Sequence, residues 1–210
     1  MGLRLDKVTI ALGDHDLLEV DCAIAPGEVL TIMGPSGSGK STLLSFVAGS
    51  IDPAFRASGR IVCAGRDLTG LPPQERHAGI LFQDALLFPH MSVGGNILFA
   101  IPAAERGRAR RRSLAEAALA DVGLAGFYSR DPATLSGGQK ARVALARVLA
   151  SHPSMLLLDE PFSRLDADLR GRTRDLVFAA VRARRLPALL VTHDEADAAA
   201  AGGPVIRISA

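Results

Sequence analysis

One stretch decides the fold of this chain: Gly34-Pro35-Ser36-Gly37-Ser38-Gly39-Lys40-Ser41. It matches the pattern of a phosphate-binding P-loop, which lies between a buried strand and a helix. The apolar run Val29–Met33 precedes the loop, and residues 42 to 48 are predicted to form a helix that Gly49 ends. A glycine-rich turn without a ligand is the alternative. The intact order of strand, loop and helix favours a phosphate site in an α/β protein.

The residues of this loop are suited to bind the phosphates of a nucleotide. Glycines let successive backbone N–H groups face the phosphates, and the N-terminus of the following helix adds positive potential. Lys40 is expected to reach the β- and γ-phosphates, and Ser41 is expected to coordinate Mg²⁺. We therefore predict nucleotide binding by Gly34, Pro35, Ser36, Gly37, Ser38, Gly39, Lys40, Ser41 and Thr42.

Two carboxylates follow a second apolar run and form the next chemical motif. The run Met155–Leu158 ends in Asp159 and Glu160, and a parallel sheet presents such residues to a ligand at its carboxyl edge. Asp159 is expected to serve the metal, and Glu160 to accept a proton from an attacking water. Acidic residues after a strand often only add solubility, but the P-loop upstream favours the catalytic interpretation.

The remaining pattern predicts a P-loop α/β domain spanning residues 1–210. Short apolar runs alternate with helix-length segments, which is typical of a mainly parallel sheet covered on both faces. A turn at Gly13-Asp14 predicts an antiparallel β subdomain at the N-terminus, and a helical subdomain is expected to be inserted at about residues 88–150. The predicted strands are Val8–Leu12, Val29–Met33, Gly79–Phe82, Met155–Leu158 and Leu189–Thr192.

Composition limits the classes of partner. The 24 basic and 22 acidic residues leave a net charge of only +2, which gives little support for nucleic-acid binding. No apolar stretch approaches the length of a membrane-spanning helix, and the N-terminus has no signal core. Cys22 and Cys63 lie far apart, so we expect free thiols and a cytoplasmic protein.

A dense arginine run lies between Glu105 and Arg112, before a helix expected to start near Ser113. Such a run could hold phosphates. It has no interleaved aromatic residues, which favours a solvated loop and helix start. We assign no chemistry to it.

The segment Leu135-Ser136-Gly137-Gly138-Gln139 precedes a helix predicted from Lys140 to Ala150. Ser136 is a suitable N-cap, and glycines permit close approach to an anion, although a capped helix alone would also fit. The residues of this segment resemble the signature sequence of ABC ATPases. Gln83 in Leu81-Phe82-Gln83-Asp84 is similar to the Q-loop glutamine of that family, and His193 is similar to its switch histidine.

The resemblance extends over the whole chain, from Leu3 to about Ile208, with each motif present once and in family order. Ser163-Arg164-Leu165-Asp166 resembles the D-loop, and Asp166 is its aspartate. Within this family, the amino-acid sequence is most similar to those of the Ynj-type importer ATPases. The resemblance implies an ATP-hydrolysing subunit in which Glu160, His193 and Gln83 are catalytic, while Ser41, Gln83 and Asp159 hold Mg²⁺.

The family also implies the partners. Ser136, Gly137, Gly138 and Gln139 of one copy would close over ATP on the P-loop of a second copy, giving a homodimer. Permease subunits would hold this dimer at the cytoplasmic face of the cell membrane, and a substrate-binding protein would act indirectly. The rival is a soluble ABC-type ATPase in DNA repair or translation, whose usual second ATPase domain or long coiled coil is not present in the sequence.

Three positions depart from the usual family pattern. Leu12 stands where an aromatic ring usually stacks on adenine, so we expect an aliphatic side chain against the base. Arg164 replaces a small D-loop residue and is expected either to be exposed or to form an ion pair between subunits. The sequence stops shortly after residues 204–208, so a C-terminal regulatory domain is not expected.

Overall fold

A computed structural model describes residues 2–208, which form two compact units. The first unit comprises residues 2–80, 154–160 and 178–208, and the second comprises residues 81–153 and 161–177. None of the described helices is both long and apolar enough to cross a membrane.

The described strands and helices alternate along much of the chain. The strands are β1 (Leu3–Leu12), β2 (His15–Ile24), β3 (Val29–Met33), β4 (Phe55–Cys63), β5 (Arg66–Asp67), β6 (Ala78–Leu81), β7 (Met155–Asp159), β8 (Ala188–Thr192) and β9 (Val205–Arg207). The helices are α1 (Lys40–Ala48), α2 (Pro73–Arg76), α3 (Val93–Ala100), α4 (Arg108–Asp121), α5 (Gly137–Ala150), α6 (Ala167–Ala183) and α7 (Glu195–Ala201), with a 3₁₀ turn at Pro132–Thr134.

The N-terminal sheet is antiparallel, with the order β2-β1-β4-β5. β1 and β2 form the predicted hairpin, in which Gly13 adopts a φ of 60°. The sequence pattern missed β4, which pairs with β1 along most of its length. Gly59, with a φ of 98°, lies opposite the irregularity in β1 and interrupts the alternation of apolar residues that would have revealed the strand.

The second sheet has the order β6-β7-β8-β3-β9, and the pairs β7–β8, β3–β8 and β3–β9 are parallel. Every residue of β3 and of β8 is buried, which explains why their sequences are continuously apolar or nearly so. The core of the first unit includes side chains of both sheets and of α1 between residues 43 and 48. The predicted α/β fold is therefore confirmed.

The helix α4 begins earlier than predicted. It starts at Arg108, five residues before Ser113, because Gly107 with a φ of 88° ends the preceding loop and arginine is a good helix former. The arginine run predicted a solvated segment, but Arg111 is only partly exposed. Its guanidinium donates four hydrogen bonds of 2.8 to 3.2 Å to carbonyls around the end of α3, namely those of Leu98, Ile101, Pro102 and Glu105.

Arg76 has a structural role that the sequence did not reveal. Only 5% of the residue is exposed, and its guanidinium donates to the Phe46 and Val47 carbonyls in the last turn of α1 at 2.7 and 3.1 Å. It also donates to the carbonyls of Leu71 and Thr69. A cation at this end of α1 neutralises the negative end of the helix dipole, so Arg76 anchors the helix that follows the P-loop.

We predict that Arg76→Met lowers the free energy of unfolding by about 2–4 kcal/mol, because four carbonyls lose a charged donor in a buried position. Arg60→Met is the control, since the Arg60 guanidinium is exposed and pairs with Asp67 at 2.6 Å. Urea denaturation of the two variants measures the difference. Equal losses in both would show that the Arg76 hydrogen bonds do not stabilise the fold.

Candidate nucleotide site

The P-loop connects the carboxyl end of β3 to the start of α1. Gly37 and Gly39 adopt φ values of 84° and 81°, a left-handed backbone region that favours glycine. A Cβ atom on Gly39 would lie 3.1 Å from the side chains of Leu17 and Leu18 in β2. The loop therefore needs glycine both for its backbone turn and for its packing against the antiparallel sheet.

Lys40 points back into its own loop. Its Nζ donates to the carbonyls of Gly34 at 2.9 Å and Pro35 at 2.5 Å, and the residue is only 6% exposed. Burial lowers the pKa of Lys40, whereas the charges of Glu160 and Asp159 act in the opposite direction. A cation is thus held where a phosphate bound in the loop would meet it.

Ser41 and Asp159 meet although 118 positions separate them. The Ser41 hydroxyl donates to Asp159 Oδ1 at 2.8 Å. Burial raises the pKa of Asp159; the charge of Glu160 adds to this, while the Ser41 hydrogen bond and Lys40 oppose it. A hydroxyl and a half-buried carboxylate are the hard oxygen donors that Mg²⁺ prefers, so these two side chains fit a magnesium site.

Glu160 directly follows β7 and has an unusual backbone. Its φ is 45°, a strained value for a non-glycine residue, and its N–H donates to the Val191 carbonyl at 3.0 Å. His193 Nδ1 lies 3.2 Å from Glu160 Oε1. The strained turn after β7 thus directs the Glu160 carboxylate differently from that of Asp159 and places it beside the histidine.

The loop that carries His193 is fixed by residues that the sequence analysis did not select. The Asp194 side chain caps α7 by accepting from the N–H groups of Ala196 at 2.7 Å and Asp197 at 3.4 Å. The Thr192 hydroxyl, in turn, donates to the buried Asp197 carboxylate at 3.3 Å. The sequence did contain a signal for this helix cap: an aspartate followed three residues later by a second acidic residue is typical of a helix N-terminus.

The signature segment of the second unit begins α5 as predicted. Ser136 is its N-cap, and the Ser136 hydroxyl and the Gln139 side chain form a reciprocal capping box. The Gln139 N–H donates to Ser136 Oγ at 3.3 Å, and the Ser136 N–H donates to Gln139 Oε1 at 3.0 Å. Gly137 and Gly138 occupy the first turn, where Gly137 is exposed and Gly138 is buried against the Leu169 side chain.

Gln83 also belongs to the second unit and is exposed in the segment that follows β6. Arg147 holds this segment by donating to the carbonyls of Ala85 and Leu86 at 3.1 and 2.8 Å. Asp166, the predicted D-loop aspartate, caps α6 by accepting from the Leu169 N–H at 3.0 Å.

Arg164 is exposed, which is one of the two predicted outcomes. In addition, it forms an ion pair with Asp84 of the same chain, a partner that the sequence had not indicated.

Leu12 ends β1 opposite His15 of β2 and Phe55 of β4, and it is 45% exposed. Its role against the base stays a prediction. The structure brings together five of the predicted residues in the first unit, namely Lys40, Ser41, Asp159, Glu160 and His193. The predicted contributions of Gln83, the signature segment and Asp166 come from the second unit.

Known proteins similar to this chain point to one family. The family model described as ABC transporter matches residues 17–163. The chain is 48% identical over 196 residues to the uncharacterized ABC transporter ATP-binding protein YnjD of Escherichia coli (strain K12), covering 93% of this chain and 90% of that protein. The resemblance to Ynj-type ATPases is thereby confirmed.

Two further relatives have import in their names. The chain is 43% identical to the Fe(3+) ions import ATP-binding protein FbpC 1 of Rhizobium meliloti (strain 1021), over 90% of this chain and 52% of that protein. It is 42% identical to the putative 2-aminoethylphosphonate import ATP-binding protein PhnT of Salmonella typhimurium, over 94% of this chain and 53% of that protein. The chain thus spans about half the length of these two relatives.

A solved structure is similar over nearly the whole chain. It is described as the dimeric structure of a post-hydrolysis state of the ATP-binding cassette MJ0796 bound to ADP and Pi. The TM-score is 0.79 at 30% identity, with coverage of 98% of this chain and 94% of that one. The P-loop, the adjoining carboxylates and these similarities all indicate the same family. The chain therefore belongs to the ABC transporter family as an ATP-binding and ATP-hydrolysing member.

Proposed function

We propose that this ATPase is the energy-supplying subunit of an importer, and that two copies close around two ATP molecules. The observation that carries the proposal is the convergence of Lys40, Ser41, Asp159, Glu160 and His193 in one unit. These five side chains provide a phosphate-binding cation, metal ligands and a general base within the same site.

Nucleotide binding would begin with the phosphates. The Lys40 ammonium would exchange its two loop carbonyls for phosphate oxygens, and the N–H groups of the loop would surround the same oxygens. Leu12 would lie against the base through its aliphatic side chain. Because Leu12 provides no aromatic ring, most of the binding free energy would come from the phosphate contacts.

Ser41 and Asp159, with Gln83 as the proposed third ligand, would hold Mg²⁺. The metal supplies positive charge that stabilises negative charge on the phosphates during hydrolysis. The residues present fit this ion, because Ser41 Oγ and Asp159 Oδ1 already lie 2.8 Å apart.

Hydrolysis itself requires a group that accepts a proton from water. Glu160 is suited to this role, because it directly follows Asp159, the proposed metal ligand, and its carboxylate lies beside His193. His193, 3.2 Å from Glu160, would orient that carboxylate and lie beside the γ-phosphate. The proposed base and its proposed positioning partner thus directly follow the adjacent strands β7 and β8.

The second copy would complete each site. The signature residues Ser136, Gly137, Gly138 and Gln139 carry no catalytic group, but they form the N-terminus of α5, and the positive potential of a helix N-terminus is suited to an anion. We propose that they close in trans over the γ-phosphate, with Asp166 at the same interface. The dimeric description of the similar structure supports this assembly.

Permease contact would come from the proposed helical subdomain at about residues 88–150 and from the segment that carries Gln83. Leu86 and Phe99 are large apolar side chains that are 56% and 67% exposed. Asn96 fixes the backbone at Phe88 by accepting from the Phe88 N–H and donating to the Phe88 carbonyl. Exposed apolar side chains of this kind are suited to contact a protein partner.

The proposed partners determine where in the cell this protein acts. Permease subunits would hold the dimer at the cytoplasmic face of the cell membrane, and a substrate-binding protein would deliver the cargo to those subunits. The import names of two relatives support this direction. A soluble ABC-type ATPase acting on nucleic acid or ribosomes is the alternative, and the nearly balanced net charge gives it little support.

Lys40→Ala is predicted to abolish tight ATP binding, because it removes the cation that faces the β- and γ-phosphates. Lys7→Ala serves as the control, since Lys7 is exposed on β1. Calorimetric titration with ATP gives the dissociation constants of both variants. Unchanged affinity in Lys40→Ala would mean that this loop is not the nucleotide site.

Glu160→Gln is predicted to keep ATP binding and to slow hydrolysis by about 10²- to 10⁴-fold, the usual contribution of a general base. The trapped ATP should then hold two copies together. Light scattering with MgATP detects the dimer after calorimetry has confirmed binding. A variant that binds ATP yet stays monomeric would contradict the composite site.

Phe99→Ser is predicted to reduce the stimulation of ATP hydrolysis by permease subunits in detergent or lipid, because it removes apolar contact area. Val205→Ser is the control, since Val205 is 40% exposed on the edge strand β9 of the other unit. The readout is the ratio of stimulated to basal rates. Stimulation by DNA or ribosomes, with none by any permease, would instead support the soluble alternative.

A further inference from the structure

An ion pair in the second unit connects two segments that the proposed mechanism uses. The first, residues 81–85, contains Gln83 and is called the glutamine segment; the second, residues 161–166, contains Asp166 and is called the aspartate segment. Arg164 Nη1 of the aspartate segment contacts Asp84 Oδ1 of the glutamine segment. The two side chains are 59% and 50% exposed, so the pair lies at the surface.

A cavity of about 210 Å³ lies next to this pair. Both segments contribute to its walls, together with α5, and its lining includes Phe82, Gln83, Ala141, Phe162, Leu165 and Val177. Close packing normally fixes the separation of neighbouring segments, because interdigitated side chains have few alternative positions. The Arg164–Asp84 pair joins the two segments directly beside this cavity.

Each segment also accepts hydrogen bonds from an arginine, and the two arginines belong to different helices. Arg147 of α5 donates to the carbonyl of Ala85, the last residue of the glutamine segment, and to that of Leu86, which follows it. Arg170 of α6 donates to the Phe162 carbonyl at 3.0 Å, and Asp166 caps the same helix. The Arg164–Asp84 pair is therefore a direct polar link between segments that are anchored separately.

We propose that Arg164 is a positioning residue: by holding Asp84, it keeps the glutamine segment at a defined separation from the aspartate segment. This inference rests on the proposed function, in which Gln83 serves the metal and Asp166 lies at the interface with the second copy. A displacement of one segment would then be transmitted to the other. The pair would thus link events at the permease-facing glutamine segment to assembly of the dimer.

The energetics favour an effect on turnover over an effect on stability. Exposed ion pairs contribute little to folding, because solvent screens the charges and two long side chains lose freedom. The guanidinium of arginine is a rigid fork, however, and defines the position of a carboxylate better than a flexible ammonium does. Removal of the pair should therefore change catalysis while leaving the fold intact.

The test compares Arg164→Ala, Asp84→Ala, the double alanine variant and the exchanged pair Asp84→Arg with Arg164→Asp. Arg112→Ala and Glu116→Ala are matched controls in the same unit, since that pair is 61% and 49% exposed. Steady-state kinetics of the full chain with MgATP gives kcat and KM, and calorimetry gives the ATP dissociation constant. Thermal denaturation monitors the fold.

We expect kcat to fall about 3- to 10-fold in each single alanine variant, the effect of a modest coupling between contacting residues. The ATP dissociation constant and the thermal midpoint should match the controls. The double variant should be no slower than either single one, and the exchanged pair should recover most of the rate. The proposal is overturned if kcat falls only in Arg164→Ala and is not recovered in the exchanged pair. Arg164 would then act through a partner other than Asp84.

Hydrogen exchange tests the positioning itself, independently of ATP hydrolysis. Arg164→Ala should accelerate exchange at the amides of residues 82–86, whereas Arg112→Ala should not. Unchanged exchange together with unchanged kcat would refute the inference but leave the proposed function standing. An unmodified chain without ATPase activity would refute the proposed function, and the exchange experiment would still decide whether Arg164 positions the glutamine segment.

Discussion

The site depends on the parallel register of three neighbouring strands, β7, β8 and β3. Asp159 pairs with Val191, and Met33 pairs with Thr192, so all three strands end at the same edge of the sheet. The P-loop, the two carboxylates and the proposed switch histidine follow these ends directly. The positions of the proposed catalytic groups therefore follow from the parallel register of this buried sheet, whose carboxyl edge is where α/β proteins bind ligands.

Charge in the first unit is arranged around this edge. Lys40 is buried in its own loop near Asp159 and Glu160, and their charges oppose the lowering of its pKa by burial. Asp159 in turn accepts from Ser41. These groups therefore form one electrostatically coupled cluster at this edge, where their charges would act on a phosphate and a metal.

The sequence predicted those parts of the molecule that local patterns encode. Continuous apolar runs predicted β3, β7 and β8, and Gly49 predicted the end of α1. The pattern missed β4, where Gly59 interrupts it, and the early start of α4 at Arg108. Arg76, Arg111 and the Arg164–Asp84 pair were missed for another reason: each depends on side-chain contacts between different elements or loops, which periodicity within one element does not record.

Specific activity as a function of protein concentration tests the central claim most directly. If each site is completed by a second copy, ATP hydrolysis per mole of chain should rise with concentration and then level off as dimers form at saturating MgATP. Light scattering on the same samples would show whether dimers are present. Constant specific activity over a range in which only monomers are observed would mean that one chain hydrolyses ATP alone and would contradict the account.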